Sequence, residues 1–277
     1  MKPVIPALFI FANSTLHLAR LSNLCCAQLI EMNREKRIRM LFNSYFNEQV
    51  IDTFHSEINP LIEVALINGT YQLNAGSVNY SFGPLHEAFR KYFHKDPPSL
   101  HNDSKVLMLG LGAGSVVKIL REEHELLCNI TGVEVDNAVI LAARKHFSLD
   151  KVAGLKVVVA DALDFMEQCS HTYDLIVVDI YVDDKVPVQF ETVGFIKHLA
   201  RCLNPGGKVV FNKLQPVEDD ESAVQALVDK FNHAFDNTAV VKVVVNKRCP
   251  NCFITGVKNK ISSNREGAYS IKHTKQQ

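Results

Sequence analysis

Three acidic residues and one glycine-rich segment follow apolar stretches at intervals that could build a ligand site. Glu134, Asp161 and Asp179 stand at or just after the ends of such stretches, and Gly110-Leu-Gly-Ala-Gly114 follows another. Glycine lets the backbone approach a ligand closely, and the helix expected after the loop offers free N–H groups at its start. Carboxylates accept hydrogen bonds from hydroxyl and amino groups. Together these residue types suit a nucleoside.

The spacing suggests a role for each acid. Glu134 lies about 20 residues beyond the loop, where an acid can accept both ribose hydroxyls. Asp136 either faces the loop or caps the helix expected from Asn137. Asp161 either accepts from an adenine amino group, beside Ala162, or caps the next helix. The predicted cofactor-binding residues are Gly110, Gly112, Gly114, Glu134, Asp136, Asp161 and Ala162.

Strand-like and helix-like segments alternate from Lys105 onward, and this pattern predicts a Rossmann-like, doubly wound parallel sheet. Apolar runs predict five strands, and two further strands in a terminal antiparallel hairpin complete a seven-stranded sheet of the class I methyltransferase type. The predicted strands are 105–110, 129–135, 155–160, 173–179, 208–213, 239–246 and 252–257. In such sheets ligands bind beyond the carboxyl ends of the strands. Gly112, Glu134, Asp161 and Asp179 are therefore expected to border one cleft.

The remaining chain divides by composition. Residues 1–39 form a weakly determined N-terminal extension, whose apolar run at residues 4–12 is too short to span a bilayer. Met32 and Met40 are alternative starts. Residues 40–100 predict a small β-rich N-terminal domain with a linking helix, residues 101–258 the cofactor-binding domain, and residues 259–277 a polar tail.

Charge and cysteine content limit the function classes. Thirty basic and thirty acidic residues balance, so no basic excess favours nucleic acid or an anionic membrane. Seven cysteines, an odd number, argue against a disulfide framework, and Cys249-Pro-Asn-Cys252 lacks the second ligand pair of a zinc site. We expect a cytoplasmic protein with a small-molecule substrate, no metal, no nucleic-acid or membrane partner, and a homodimer as a candidate assembly.

The motifs together resemble those of the spermidine synthase family. The similar segments are Val106-Leu-Met-Leu-Gly-Leu-Gly-Ala-Gly114, Gly132-Val-Glu-Val-Asp136, Val157-Val-Val-Ala-Asp-Ala162 and Tyr173-Asp-Leu-Ile-Val-Val-Asp179. The resemblance implies a methyltransferase-like fold that transfers an aminopropyl group from decarboxylated S-adenosylmethionine to a diamine. It also implies an acid in the glycine loop, where this chain has Ala113, and an acidic pair before Leu85-His-Glu87, which this chain lacks.

We therefore expect a spermidine synthase-like transferase that uses S-adenosylmethionine or its decarboxylated form to alkylate a small amine. Asp179, with Asp183 or Tyr181 nearby, is the expected acceptor of the amine proton. Ala113 favours one alternative, a small-molecule methyltransferase, and predicts weak discrimination between the two cofactors. The others are a non-catalytic protein with the same fold and, less favoured by the glycine spacing, a Rossmann-like oxidoreductase.

Overall fold

The structure is a computed structural model that describes residues 33–76, 78–182, 184–216 and 221–259. The extension before residue 33, Asp183 and the tail from residue 260 lie outside these ranges. Of the predicted extension, residues 33–39 are described: Asn33 caps helix α1 (Arg34–Asn43), which the other six begin. Among the described helices, none combines the length and the apolar character needed to cross a membrane.

Two sheets make up the fold. A four-stranded antiparallel sheet comes first in the chain and has the order β1-β2-β3-β4. Its strands are β1 (Gln49–Phe54), β2 (Ile62–Ile67), β3 (Thr70–Ala75) and β4 (Val78–Ser81). Asn68 and Gly69, both at positive φ, make the tight turn between β2 and β3. Helix α2 (Gly83–Lys95) then leads to the second sheet.

The second sheet has seven strands, as predicted, in the order β10-β11-β9-β8-β5-β6-β7. The strands are β5 (Lys105–Leu109), β6 (Asn129–Glu134), β7 (Leu155–Val159), β8 (Tyr173–Val178), β9 (Leu203–Leu214), β10 (Asn237–Val243) and β11 (Asn251–Val257). Strands β5 to β9 pair in parallel, and β11 runs antiparallel to both β9 and β10. The predicted class I methyltransferase-type architecture is therefore confirmed.

Helices cover both faces of this sheet. Their bounds are α3 (Ser115–Glu122), α4 (Asn137–Phe147), α5 (Ala162–Gln168), α6 (Val193–Arg201) and α7 (Ser222–Asn232). Alternate residues of β5 face opposite cores: Val106 and Met108 pack with α2, α3 and α4, while Leu107 and Leu109 pack with α5, α6 and α7. A strand buried on both faces explains the uninterrupted apolar run that predicted it.

A side-chain cap determines the start of one helix, and strand β9 differs most from its predicted bounds. Helix α6 begins at Val193, because the Thr192 side chain caps it by accepting from the Phe195 N–H at 3.2 Å. Strand β9 begins at Leu203, five residues before its predicted start. Its early part pairs with Tyr173 before the register shifts, so Asn204-Pro-Gly-Gly207 is an irregularity inside a strand and not a loop between elements.

The small sheet is joined to the glycine loop by reciprocal hydrogen bonds. The buried hydroxyl of Ser81 accepts from the Ala113 N–H at 2.7 Å, and the Phe82 N–H donates to Ser115 Oγ at 2.6 Å. A Cβ added to Gly112 would lie 2.6 Å from Ser81 Oγ. Gly112 is therefore required by the approach of β4, in addition to any approach of a ligand.

We expect Gly112→Ala to destabilise the protein more than Gly76→Ala, a matched control. Gly76 has φ +56, close to the +54 of Gly112, but a Cβ there meets nothing within 4 Å. The control should lose about 1 kcal/mol because of its left-handed φ alone. The Gly112 variant should lose about 1–3 kcal/mol more through overpacking against Ser81. Denaturant unfolding measures both, and equal losses would contradict the steric argument.

Candidate functional site

The four positions predicted to meet do line one cleft at the carboxyl ends of the central strands. Gly112, Glu134, Asp161 and Asp179 border a cavity of about 500 Å³. Of the other predicted residues, Gly110, Ala162 and Tyr181 also line it, while Gly114 and Asp136 do not. Asp183 lies outside the described residues.

The glycine loop passes directly against the backbone of Asp179. Gly110 has φ +84, and a Cβ on it would lie 2.0 Å from the Asp179 carbonyl oxygen. The Asp179 N–H also donates to the Leu109 carbonyl at 2.8 Å. Because no other residue fits at position 110, the loop and the acid at the end of β8 form one compact wall of the cleft.

Glu134 is buried at the end of β6 with both oxygens in use. Oε2 accepts from the Gly112 N–H at 3.0 Å and Oε1 from the Asp136 N–H at 3.2 Å. Burial raises the pKa of Glu134, and these backbone hydrogen bonds oppose the rise. A carboxylate has about four acceptor positions, so each oxygen retains capacity for a ligand hydroxyl.

Asp136 links helix α4 to the segment between β1 and β2 of the small sheet. Its Oδ1 caps α4 by accepting from the Ala138 N–H at 2.8 Å. Its Oδ2 accepts from the Ser56 hydroxyl at 2.6 Å and from Asn59 Nδ2 at 2.7 Å. With both oxygens engaged and only 1% of its surface exposed, Asp136 positions Asn59, which does line the cleft.

Asp161 caps α5, and part of its carboxylate stays available. Oδ1 accepts from the N–H groups of Leu163 and Asp164 at 2.7 and 3.3 Å. Among the described residues no donor reaches Oδ2. The N–H of Ala162, in the first turn of α5, likewise has no acceptor there, as is usual for a helix start. The helix cap and the cleft position are thus compatible.

Asp179 is the acid best placed to exchange a proton near neutral pH. Burial raises its pKa from 3.8 to about 7, the hydrogen bond from Asn212 opposes the rise, and the nearby charge of Glu134 adds to it. Asn212 Nδ2 donates to Asp179 Oδ1 at 2.9 Å. A carboxyl with a pKa near the working pH can accept and release a proton readily.

Tyr181 has its hydroxyl committed to β9. The hydroxyl donates to the Asn212 carbonyl at 3.0 Å and accepts from the Leu214 N–H at 2.9 Å. Burial raises the pKa of this phenol well above its usual value, and the charge of Asp179 raises it further. The phenol therefore stays protonated and secures the loop after β8, which leaves proton transfer to Asp179.

Sequence reasoning missed several polar residues of the cleft, among them Asn59, Tyr80, Asn212 and Asn251. The Tyr80 hydroxyl lies 3.2 Å from both Asn59 Oδ1 and the Tyr181 carbonyl, so its single proton is shared between them. Asn212 could have been found, because it lies near the carboxyl end of the predicted strand 208–213. The other three carried no signal in strand-end spacing.

Comparisons with known proteins agree with the geometry. A family model for the spermine/spermidine synthase domain matches residues 91–264. A probable polyamine aminopropyl transferase from Bifidobacterium longum is 31% identical over 142 residues, which are 51% of this chain and 31% of that protein. Polyamine aminopropyltransferase 2 from Hyperthermus butylicus is 32% identical over 123 residues, 40% of this chain and 39% of that protein. The alignments thus span about a third of these relatives' lengths.

Solved structures show the same fold. A probable spermidine synthase from Corynebacterium glutamicum superposes with a TM-score of 0.64 at 20% identity, over 78% of this chain and 84% of that one. Spermidine synthase from Thermotoga maritima gives 0.59 at 18% identity, over 76% of this chain and 73% of that one. At this level of identity the likeness establishes the fold alone.

The raised pKa of Asp179 predicts a pH-dependent gain in stability for Asp179→Asn. Between pH 3.8 and about 7 the folded protein binds more protons than the unfolded chain, so ionisation of Asp179 costs stability as pH rises. The variant lacks this cost. At pH 8 it should be more stable than the wild type by on the order of 1–4 kcal/mol, and the difference should vanish towards pH 4.

Denaturant unfolding across this pH range measures the effect, with Asp103→Asn as a control. Asp103 is exposed, so the same chemical change there should leave the pH dependence as in the wild type. A variant at position 179 that is less stable than the wild type at pH 8 would contradict the burial argument.

Proposed function

The chain belongs to the spermine/spermidine synthase domain family, and on this basis we propose that it transfers an aminopropyl group from decarboxylated S-adenosylmethionine to a small amine. One observation carries the proposal. Every charged side chain lining the cleft among the described residues is an acid: Glu134, Asp161 and Asp179. No lysine, arginine or histidine lines that part of the cleft. A cationic ligand suits this field, whereas a ligand carboxylate would find no counter-charge.

An adenosyl group fits the β5-β6-β7 side of the cleft. Glu134, with one backbone hydrogen bond on each oxygen, would accept from the two ribose hydroxyls. Asp161 Oδ2 would accept from the adenine amino group, and the Ala162 N–H would donate to a ring nitrogen. Gly110 and Gly112 line this side of the cleft, where a glycine backbone can approach the nucleoside closely.

Asp179 would prepare the acceptor amine. A bound sulfonium supplies an electrophilic carbon and a neutral thioether leaving group. A protonated amine has no lone pair to attack with, so its proton must first leave. Asp179 lines the cleft, and its pKa of about 7 lets it hold that proton. The new N–C bond then forms as the C–S bond breaks towards sulfur, giving methylthioadenosine and a lengthened amine.

A methyltransferase is the second candidate, and it rests on Ala113. That side chain is only 2% exposed and does not line the cleft, so its lack of charge does not alter the field inside. The three acids that do line the cleft favour the decarboxylated donor instead. The weak discrimination expected from Ala113 is therefore replaced by its opposite, a strong preference for the decarboxylated donor, and the titration below separates the two. The expected homodimer stays a prediction.

Replacement of Glu134 should weaken nucleoside binding. Glu134→Ala removes charge-assisted hydrogen bonds to the ribose and should cost about 1–3 kcal/mol of binding free energy for methylthioadenosine. Glu167→Ala removes an exposed acid from α5 and serves as the control. Calorimetry measures both, and an unchanged dissociation constant in the Glu134 variant would reject the ribose role.

Side-by-side titration of the two cofactors tests the donor. The acidic cleft predicts a preference of a hundredfold or more for the decarboxylated form, about 2.7 kcal/mol, with release of methylthioadenosine when an amine such as putrescine is added. Equal affinities, or tight S-adenosylmethionine binding with methyl transfer, would support the methyltransferase. Binding of neither would support a non-catalytic protein.

A further inference from the structure

The side chain of Asn212 is buried between an acid and a second amide. Its Nδ2 donates to Asp179 Oδ1 at 2.9 Å, and its Oδ1 accepts from Asn251 Nδ2 at 2.9 Å. Asn212 is 0% exposed and Asn251 is 5% exposed, so water cannot easily replace either bond. The three side chains come from the ends of β8, β9 and β11, and they form one continuous chain of hydrogen bonds.

The backbone of Asn212 is held as firmly as its side chain. The Tyr181 hydroxyl donates to the Asn212 carbonyl and accepts from the Leu214 N–H, so one phenol fixes two positions of β9. Asn251 pairs with Leu214 across the antiparallel ladder between β11 and β9. The amide of Asn212 can therefore change chiefly by rotation about its own side-chain bonds.

Asn251 determines which group donates and which accepts along this series of hydrogen bonds. An ionised carboxylate only accepts hydrogen bonds, so Asn212 must turn its NH₂ towards Asp179. Its carbonyl oxygen then points the other way and needs a donor, which Asn251 supplies. Without that donor one end of the amide lacks a partner in either orientation, so the preference for turning NH₂ towards Asp179 weakens. The rotated amide presents oxygen to Asp179, an arrangement that suits only the protonated acid.

We propose that Asn212 and Asn251 are positioning residues that orient Asp179 and hold it ready to accept a proton, an inference that rests on the function proposed above. Oδ1 of Asp179 is occupied by Asn212, and no described residue donates to Oδ2. Oδ2 is thereby the oxygen left for the acceptor amine. The hydrogen bonds from Asn251 through Asn212 to Asp179 thus select both the reacting oxygen of Asp179 and its charge state.

Other titratable groups surround Asp179, and none of them donates to it. Glu134 faces it from β6, and Tyr181 lies on the same loop. Cys249, between β10 and β11, lines the cleft. Glu191 and Lys213 form an ion pair near Tyr181. The neighbouring acid and the burial both favour the protonated form, so the Asn212 amide is the group that opposes them.

Two variants of Asn251 test the proposal without changing Asp179 or Asn212. Asn251→Ala removes the donor, and Asn251→Asp keeps the shape but can only accept when ionised, so it draws the Asn212 NH₂ away from Asp179. We expect the pH midpoint for ionisation of Asp179 to rise by about one unit in the first variant, a tenfold change in its equilibrium. The second should shift it further, because a charge is added as well.

Cys252→Ala is the matched control. Cys252 adjoins Asn251 on β11 and is buried, but its thiol contacts Gln215 on the other side of the strand. This variant perturbs the packing of β11 and should leave the midpoint unchanged. Infrared titration of the ligand-free protein reads the Asp179 carboxyl directly, with its band assigned by loss in Asp179→Asn.

Activity provides the second readout. The kcat of aminopropyl transfer to putrescine should fall about tenfold at pH values below the midpoint in Asn251→Ala and recover towards the wild-type value at high pH. A merely structural role would lower kcat equally at all pH values. Unchanged infrared midpoints in both Asn251 variants would overturn the proposal. If the wild type transfers no aminopropyl group, the proposed function fails, while the infrared titration still decides whether the amides control Asp179.

Discussion

The lack of a Cβ at Gly110 and Gly112 is the constraint on which the cleft depends. At Gly110 the loop lies against the carbonyl of Asp179, and at Gly112 it lies against Ser81 of the small sheet. The Gly112 N–H also reaches Glu134. The backbone of five residues thus contacts the ends of β4, β6 and β8 at once. A side chain at either glycine would separate the elements that form the walls of the cleft.

Two desolvated carboxylates beside the glycine loop make the cleft electrostatically unfavourable for folding. Glu134 is buried, Asp179 is partly buried, and both have raised pKa values. The charge of Glu134 raises the pKa of Asp179, and the charge of Asp136 raises the pKa of Glu134. A protein selected for stability alone would replace one of them or pair it with a base. Hydrogen bonds from the Gly112 and Asp136 N–H groups and from Asn212 reduce the cost without neutralising the charge. The cleft therefore remains attractive to cations.

Strand-end reasoning worked where the sheet is parallel, because chain order then specifies which residues meet at one edge. It brought together the glycine loop, Glu134, Asp161 and Asp179 from the sequence alone. It could not find Asn251, because the position of that residue depends on the antiparallel register of β11 against β9, which no local pattern encodes. Tyr80 and Asn59 were missed for a similar reason, since they reach the cleft through the packing of one sheet on another. Strands β1 and β4 were also not predicted, and each has an irregular register with its neighbour.

The hydrogen bonds from Ser56 and Asn59 to Asp136 have a consequence for how this family is delimited. The region of shared sequence begins at residue 91, within α2. The walls of the cleft begin much earlier, at Ile58 and Asn59, and continue through Tyr80 and Leu85. The unit recognised by sequence similarity is thus smaller than the unit that encloses the cleft. Two members could share every cleft residue after residue 91 and still differ in the segment that forms the wall before it.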